Sequence, residues 1–308
     1  MHTMTTASVN VTVETELINL HETPRKSVSQ PFRVHAFSSS HQDEVLAFLA
    51  QRPIHTVFMA GLIRDNGLVH IANRGTFYGC RDRSNRLIGV ALIGSKTIIE
   101  AREYSALEIL SALIPNNLTS HLVRGEQQQM KYILDKYAAA GRKPRQLTHE
   151  ILLQQQTPAA DVLAEPQLRL AQSEDLESVV NINAELGFEE SGIDPLTEDS
   201  PGMWARAARR IDQDRVWILM DQGQVIFKAD IISETPQTVF VEGVYVRPDA
   251  RRQGHGLRCM TQLARKLLEH HGSICLVVNE ENKRAFAFYQ KVGYEVRSAY
   301  STAYFSAV

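Results

Sequence analysis

Arg251-Arg252-Gln253-Gly254-His255-Gly256 is the stretch whose residue types are best suited to holding a ligand. The apolar run Val239 to Val246 before it is β-branched and aromatic, as in a buried strand. After it, Leu257, Met260, Ala264, Leu267 and Leu268 recur at three- and four-residue steps, with Arg258, Gln262, Arg265, Lys266 and Glu269 between them, as on an amphipathic helix. Strand, glycine loop and helix entry in that order make an anion cradle. The glycines let a ligand approach the backbone, and the helix's first N–H groups and positive dipole end face it. A pyrophosphate is the guest that suits such a cradle best. Glu242 is the sole charge in the run 239–246, where burial is expected to raise its pKa toward that of a useful base. The competing reading is that Glu242 lies on an open face or pairs with an arginine. Tyr289 is a neutral proton donor at pH 7, or else a half-buried packing residue beside Ala285 and Val292. Asn282 stands where a helix N-cap belongs.

The elements that must position these groups fall into two similar halves. Residues 1–30 read as a loosely ordered extension, with a short strand at Val9 to Val13. In the first half, helices are expected at Gln42 to Arg52 and Val57 to Ile63, the second interrupted by Pro53. Strands follow at Thr76 to Arg81, Arg86 to Ile93 and Thr97 to Ala101, then a helix to Ile114, a short strand at Leu122 to Arg124, a helix at Gln127 to Ala140 and a last strand at Thr148 to Gln156. A linker covers 158–166. The second half, from 167, repeats the order: a strand at Leu168 to Ala171, a helix Asp175 to Leu186 capped by Ser173, and a helix opened by Pro201. Strands at Val216 to Met220, Val225 to Ile232 and Val239 to Val246 lead to the cradle. Its helix is closed by Gly272, and a strand Ile274 to Val278, a helix Lys283 to Val292 and a strand near Tyr300 to Phe305 complete the chain. Leu122-Val123-Arg124-Gly125-Glu126 echoes Leu276-Val277-Val278-Asn279-Glu280, but only Arg102-Glu103-Tyr104-Ser105 stands where the second half has its cradle. The reading is a duplicated domain in which one copy, 31–157, lost the ligand loop and the other, 167–308, kept it.

Composition narrows the classes. A chain of 308 residues, 44% hydrophobic, is long enough for roughly two domains. Net charge −2 and a pI near 6.6 argue against a nucleic-acid footprint. Cys80, Cys259 and Cys275 show neither disulfide nor zinc spacing, so no metal is expected and a reducing cytoplasm is the default. No apolar run approaches the roughly 18 residues of a membrane span, and the N-terminus lacks the order of a signal peptide. No membrane or nucleic-acid partner is expected; a homodimer is compatible with the sequence.

The loop is followed by Asn282-Lys283-Arg284-Ala285-Phe286-Ala287-Phe288-Tyr289-Gln290-Lys291-Val292-Gly293-Tyr294 and preceded by Val244-Tyr245-Val246-Arg247-Pro248. Together, over roughly residues 168 to 305, these closely resemble the Gcn5-related N-acetyltransferase (GNAT) family. The resemblance implies an α+β fold of two tandem units, each a mixed, mostly antiparallel sheet flanked by helices. It implies acetyl-CoA as co-substrate and a small-molecule or peptide amine as acceptor. The amides of Arg251, Arg252, Gln253, Gly254, His255, Gly256 and Leu257 would hold the pyrophosphate. Val244 and Val246, flanking Tyr245, would pair through their main chain with the pantetheine arm, and Asn279 and Asn282 would lie beside the CoA. Tyr289 would protonate the departing thiolate, and the bulge of the preceding strand would offer a free N–H to the thioester oxygen, expected at Val246. Glu242 is the first candidate for the base, with Glu280, Glu281 or water as alternatives. The first half resembles the degenerate copy of tandem members and has Asp135 where the second has Tyr289. The acidic segment with Glu185, Glu189, Glu190, Asp194, Glu198 and Asp199 would suit a cationic amine, or is a solvated loop.

Two rival functions are weighed on sequence, and the first fails on context. Gly254-x-Gly256-x-x-Cys259, with Glu280 near the distance of a ribose acid, is a near miss to a dinucleotide-binding fingerprint, although Arg247 to Gln253 separate strand from loop. A non-catalytic acyl-CoA sensor is the other.

Overall fold

A computed structural model describes residues 32–306 apart from Asn117, Asp161 and Ala164; the N-terminal extension and its expected strand lie outside the described residues. The first half runs β1 (Arg33–Ala36), α1 (Gln42–Leu49), α2 (Pro53–Asn66), β2 (Gly75–Arg81), β3 (Leu87–Gly94), β4 (Lys96–Ala101), α3 (Tyr104–Ser111), β5 (Leu122–Glu126), α4 (Gln127–Ala139) and β6 (Gln146–Gln155). The second runs β7 (Arg169–Leu170), α5 (Leu176–Ser191), α6 (Pro195–Asp212), β8 (Val216–Asp221), β9 (Gln224–Glu234), β10 (Val239–Val246), α7 (His255–Leu268), β11 (Ile274–Asn279), α8 (Lys283–Val292) and β12 (Glu295–Tyr304). No described helix is long and apolar enough to cross a membrane.

Local chemistry moves several boundaries. Pro53 opens α2 at its first turn instead of interrupting it, because a helix start needs no N–H there. Asp175, not Ser173, serves the entry to α5, accepting from the Gln172 amide at 2.8 Å and pairing with Arg169 at 2.7 Å. α6 begins at Pro195 and kinks at Asp199 (φ −151°, ψ 63°), just before Pro201. α7 stops at Leu268, before Gly272, and β12 starts five residues earlier than the Tyr300 expected.

The twelve strands of the described residues form one sheet, in the order β1-β2-β3-β4-β5-β12-β6-β11-β10-β9-β8-β7. Each half has the same pattern: antiparallel neighbours, then one parallel pair, β4 with β5 and β10 with β11, spanned by α3 and α7. Both parallel pairs are brief. β10 meets β11 only at Val239↔Ile274 and Phe240↔Cys275, and β4 meets β5 only at Lys96↔Leu122 and Thr97↔Val123; beyond these the strands part. The halves also trade their last strands. β6 lies between β11 and β12, and β12 lies between β5 and β6, with Tyr300↔Glu126 and Leu276↔Leu153 as representative pairs. The sheet therefore runs unbroken from one half to the other.

Helix burial matches the apolar spacing. Cys259, Met260, Leu263, Ala264 and Leu267 of α7 are buried against Val239, Val241 and Leu276, each large side chain contributing roughly 1.5–3 kcal/mol on leaving water. α2 crosses onto the second half: Val57 packs with Phe240 and Cys275, and the Ser233 hydroxyl donates to the Val57 carbonyl at 2.7 Å. Arg215 joins Asp65 at 2.5 Å and Glu234 at 2.9 Å across the same seam.

Candidate active site

The divergence of β10 from β11 opens a cleft of about 780 Å³. One wall is Val241 to Val246, the other Leu276 to Asn279; the first turn of α7 closes one end, and α8 and the end of α5 flank it. The register of β10 on β9 runs Glu242↔Asp230 and then Tyr245↔Lys228, so Gly243 and Val244 together oppose one residue. The Arg247 N–H donates to the Ile226 carbonyl, and the Ile231 N–H to the Arg215 carbonyl. Alternation from these bonds turns Glu242 and Tyr245 toward β9 and leaves Gly243, Val244 and Val246 outside that ladder. The bulge thus sits at Gly243–Val244, two residues before Val246, which lies opposite Phe227 in a pair whose N–H points away from β9. Only glycine fits its first position: φ is +60°, and a Cβ would lie 2.9 Å from Lys228 Nζ. Lys228, fully buried, lies 2.8 Å from Asp230 and donates to the Gly243 carbonyl at 3.3 Å. A buried ion pair thus fixes the orientation of the bulge peptide.

At the other end, Gly254 is the N-cap of α7 at φ +85°, and Arg252 also has positive φ. Among the described residues, the amides of Arg252 to Leu257 donate to no backbone carbonyl; the first such helical bond is Arg258 to Gly254. That row of free N–H groups at a helix N-terminus is the cradle read from the sequence. Gly256 lets the first turn come close: a Cβ there would be 3.1 Å from Val246 and 3.4 Å from Phe288. Val244, Tyr245, Val246, Arg251, Arg252, Gly254, Gly256, Leu257, Asn279 and Asn282 all reach the cleft wall. The side chains of Gln253 and His255 turn elsewhere, Gln253 to the Asp249 carbonyl at 2.8 Å and His255 to Arg258 at 3.0 Å. Tyr245 is 7% exposed and packs mainly beneath α5 and α6. Arg251 Nε donates to the Val246 carbonyl at 2.8 Å, tying loop to strand. Asn282 is an N-cap, its Oδ1 accepting the Ala285 amide at 3.0 Å, which leaves its NH₂ group for a ligand. Asn279 Oδ1 likewise accepts the Glu281 amide at 2.8 Å.

Tyr289 lies on the cleft wall against Phe288 and Tyr294, with ring centroids 5.3 and 5.7 Å away. Burial, then the charge of Glu190, raise its pKa, so it keeps its proton through the physiological range. Glu242 behaves otherwise than expected. Burial works to raise its pKa, but Arg124, bonded at 2.7 Å, and Lys96 outweigh it and the net shift is downward. The arginine-paired reading is the one realised, and Glu242 is a weak base near pH 7. Arg124 also faces Glu150 at 3.5 Å, and Glu150 accepts from Thr302 at 2.7 Å. Glu190, by contrast, lies open to the cleft but within its walls, and enclosure together with Glu242 pushes its pKa to about 7. Glu280 and Glu281 lie on the exposed turn before α8. Asp194 caps α6, and Asp199 pairs with Arg206 at 2.9 Å, so part of the acidic segment is structural. Asp135 is an exposed partner of Lys131 at 3.1 Å.

Sequence reasoning missed Arg124, Glu150 and the role of Glu190. Each of the first two is a charge within a strand, the same signal that drew attention to Glu242. Their convergence depends on β6 and β12 crossing between halves, which no local pattern encodes.

Residues 178–294 match the family model described as "Acetyltransferase (GNAT) family". The chain is similar in structure to a Drosophila protein, 14% identical with TM-score 0.63, covering 89% of this chain and 99% of that one. It is also similar to a GCN5-related N-acetyltransferase from Sphaerobacter thermophilus, 12% identical with TM-score 0.54, covering 90% and 97%. A third is a tandem GNAT protein from the clavulanic acid biosynthesis pathway, 11% identical with TM-score 0.53, covering 90% and 100%. At these identities the likeness is one of fold. No curated protein matches the sequence.

Proposed function

We propose that this chain, whose residues 178–294 match the GNAT acetyltransferase family model, is an N-acetyltransferase that moves an acetyl group from acetyl-CoA directly onto a primary amine. One observation carries this reading: a single splayed gap has a row of free helix-entry amides at one end and an unladdered bulge at Gly243–Val244 with Tyr289 on its walls. The glycine-built loop fits a pyrophosphate, and the main chain of Val244 and Val246 fits an extended arm laid along the strand edge. We assign the working copy to 167–308 and the loopless copy to 31–157.

Glu190 takes a proton from the bound ammonium, giving the neutral nucleophile. As the C–N bond forms and the C–S bond breaks, the Gly243–Val244 amides face the oxygen where negative charge grows. Tyr289 gives its proton to the departing sulfur and recovers one from the surplus proton of the nitrogen through solvent, so the cycle releases one proton overall. Arg124 holds Glu242 and Glu150 as a fixed charge pair behind these groups.

Acetyl-CoA at about 100 times its Kd is expected to add about 2.7 kcal/mol to stability and raise the melting temperature by roughly 5 °C, while NAD leaves it unchanged. A shift with NAD and none with acetyl-CoA would overturn the assignment of the cradle. Thiol release with a panel of amines then separates an enzyme from an acyl-CoA sensor, which would bind and release nothing.

A further inference from the structure

A second cavity, of about 170 Å³, adjoins the main cleft. It occupies the gap where β4 and β5 part after Thr97 and Val123, so it is to the first half what the main cleft is to the second. No cradle serves it, because Arg102 and Glu103 alone join β4 to α3. Instead α2 covers it with Ile54 and Phe58, opposite Ile98 of β4 and Phe240 of β10. The two cavities share Arg124, Glu190, Glu242, Val277 and Tyr304 in their walls. At about 30 Å³ per water in the liquid, the chamber has room for roughly six waters, or the apolar body of a small ligand whose amine end reaches into the adjoining cleft.

Its charges are nearly all matched. Arg52 joins Glu100 at 3.1 Å and Glu126 at 2.9 Å, and Arg124 joins Glu242 at 2.7 Å. His55 bonds the Tyr300 hydroxyl at 2.9 Å. Two groups are left over. The Lys96 ammonium lies 4.5 Å over the Phe58 ring and makes no ion pair among the described residues. Glu190, on the wall shared with the main cleft, makes none either. A cation over Phe58 that meets Glu242 only at a distance, and an exposed carboxylate on the wall shared with the main cleft, neither in an ion pair, form a site for a ligand that carries both opposite charges.

We propose that this chamber is the acceptor site and that the acceptor is an amine bearing a carboxylate on an apolar body, about the size of a hydrophobic amino acid. The carboxylate pairs with Lys96, the apolar body packs among Ile54, Phe58 and Ile98, and the amine meets the acetyl donor beside Glu190. The first half, having lost its own cofactor loop, is kept as the acceptor pocket of the second. This inference rests on the acetyl-transfer reading above.

The test uses the full chain with acetyl-CoA and pairs each hydrophobic amino acid with its decarboxylated amine: leucine with isopentylamine, phenylalanine with phenethylamine. Thiol release is expected to favour the carboxylated member by ten- to a hundredfold in kcat/KM, the worth of one charge-assisted hydrogen bond. Lys96→Met is expected to erase that preference by raising KM for the amino acid, leaving KM for acetyl-CoA within twofold. Ile98→Trp, which fills the chamber, is expected to raise KM for every amine while the thermal shift with acetyl-CoA persists and reports a folded protein. Equal turnover of both members of each pair, or no turnover of any carboxylated amine by protein that binds acetyl-CoA, would overturn the proposal. Loss of acetyl-CoA binding in the unaltered protein would instead sink the acetyl-transfer reading beneath it.

Discussion

Replacing Glu190 with glutamine separates the two carboxylates, Glu190 and Glu242, that line the cleft of the proposed acetyl transfer. With a pKa of about 7, Glu190 is about one-tenth ionised at pH 6, half at pH 7 and nine-tenths at pH 8, whereas a carboxyl near its ordinary value is already almost fully ionised at pH 6. A base so placed makes kcat/KM for the amine rise roughly tenfold between pH 6 and pH 8 and level off above. Glu242, whose pKa lies below the ordinary carboxyl value because Arg124 holds its charge, gives no inflection in that window. The assay is thiol release at low amine and saturating acetyl-CoA, so that kcat/KM for the amine reports groups in the protein before the amine binds. Glu190→Gln is expected to lower kcat/KM at pH 8 by about a hundredfold, the lower end of what a positioned base supplies, and to remove the inflection near pH 7. If the variant keeps both its turnover and the same inflection, Glu190 is not the base and the physical account of its raised pKa has no bearing on the reaction.

Tyr289→Phe is expected to lower kcat by about a hundredfold with little change in acetyl-CoA affinity; unaltered kcat would remove Tyr289 as the proton donor. Arg124→Met leaves Glu242 and Glu150 facing each other without their shared cation, and chemical denaturation is expected to show a loss of about 3–5 kcal/mol; an unchanged midpoint would show that the pair is already solvated. His55 has its pKa pushed down to about 4, first by burial and then by Arg52. The unfolded chain takes up that proton first, so the contribution of His55 to stability is complete above pH 6.5 and is lost as pH falls toward 4. His55→Gln is therefore expected to flatten the decline of melting temperature with acid over that window, and an identical decline would refute it.

The sequence by itself determined the local grammar of this protein. The cradle at Arg251 to Gly256, the amphipathic face of α7, the N-cap at Asn282 and the repeated order of elements are all set by interactions within a few residues: hydrogen-bond demands at helix ends, glycine's access to positive φ, and the periods of helix and strand. The helix starts expected near Pro53 and Ser173 erred by about one turn or less, whereas the start expected at Pro201 fell six residues late, at a kink within α6. Tertiary structure decided everything that depends on which strand lies beside which. From 239–246 alone Glu242 reads either as a lone buried carboxylate or as a group that is open or paired with an arginine, and only the crossing of β12 and β6, which brings β5 within reach, decides it: Arg124 pairs with it from 118 residues away. Glu190 read as one acid in a solvated run, and only the end of α5 closing on the cleft raises its pKa. A pKa is set by the charges and solvent around a group in three dimensions. That is why the glycine loop at the entry to α7 could be read along the chain, while the opposite pKa shifts of Glu242 and Glu190 could not.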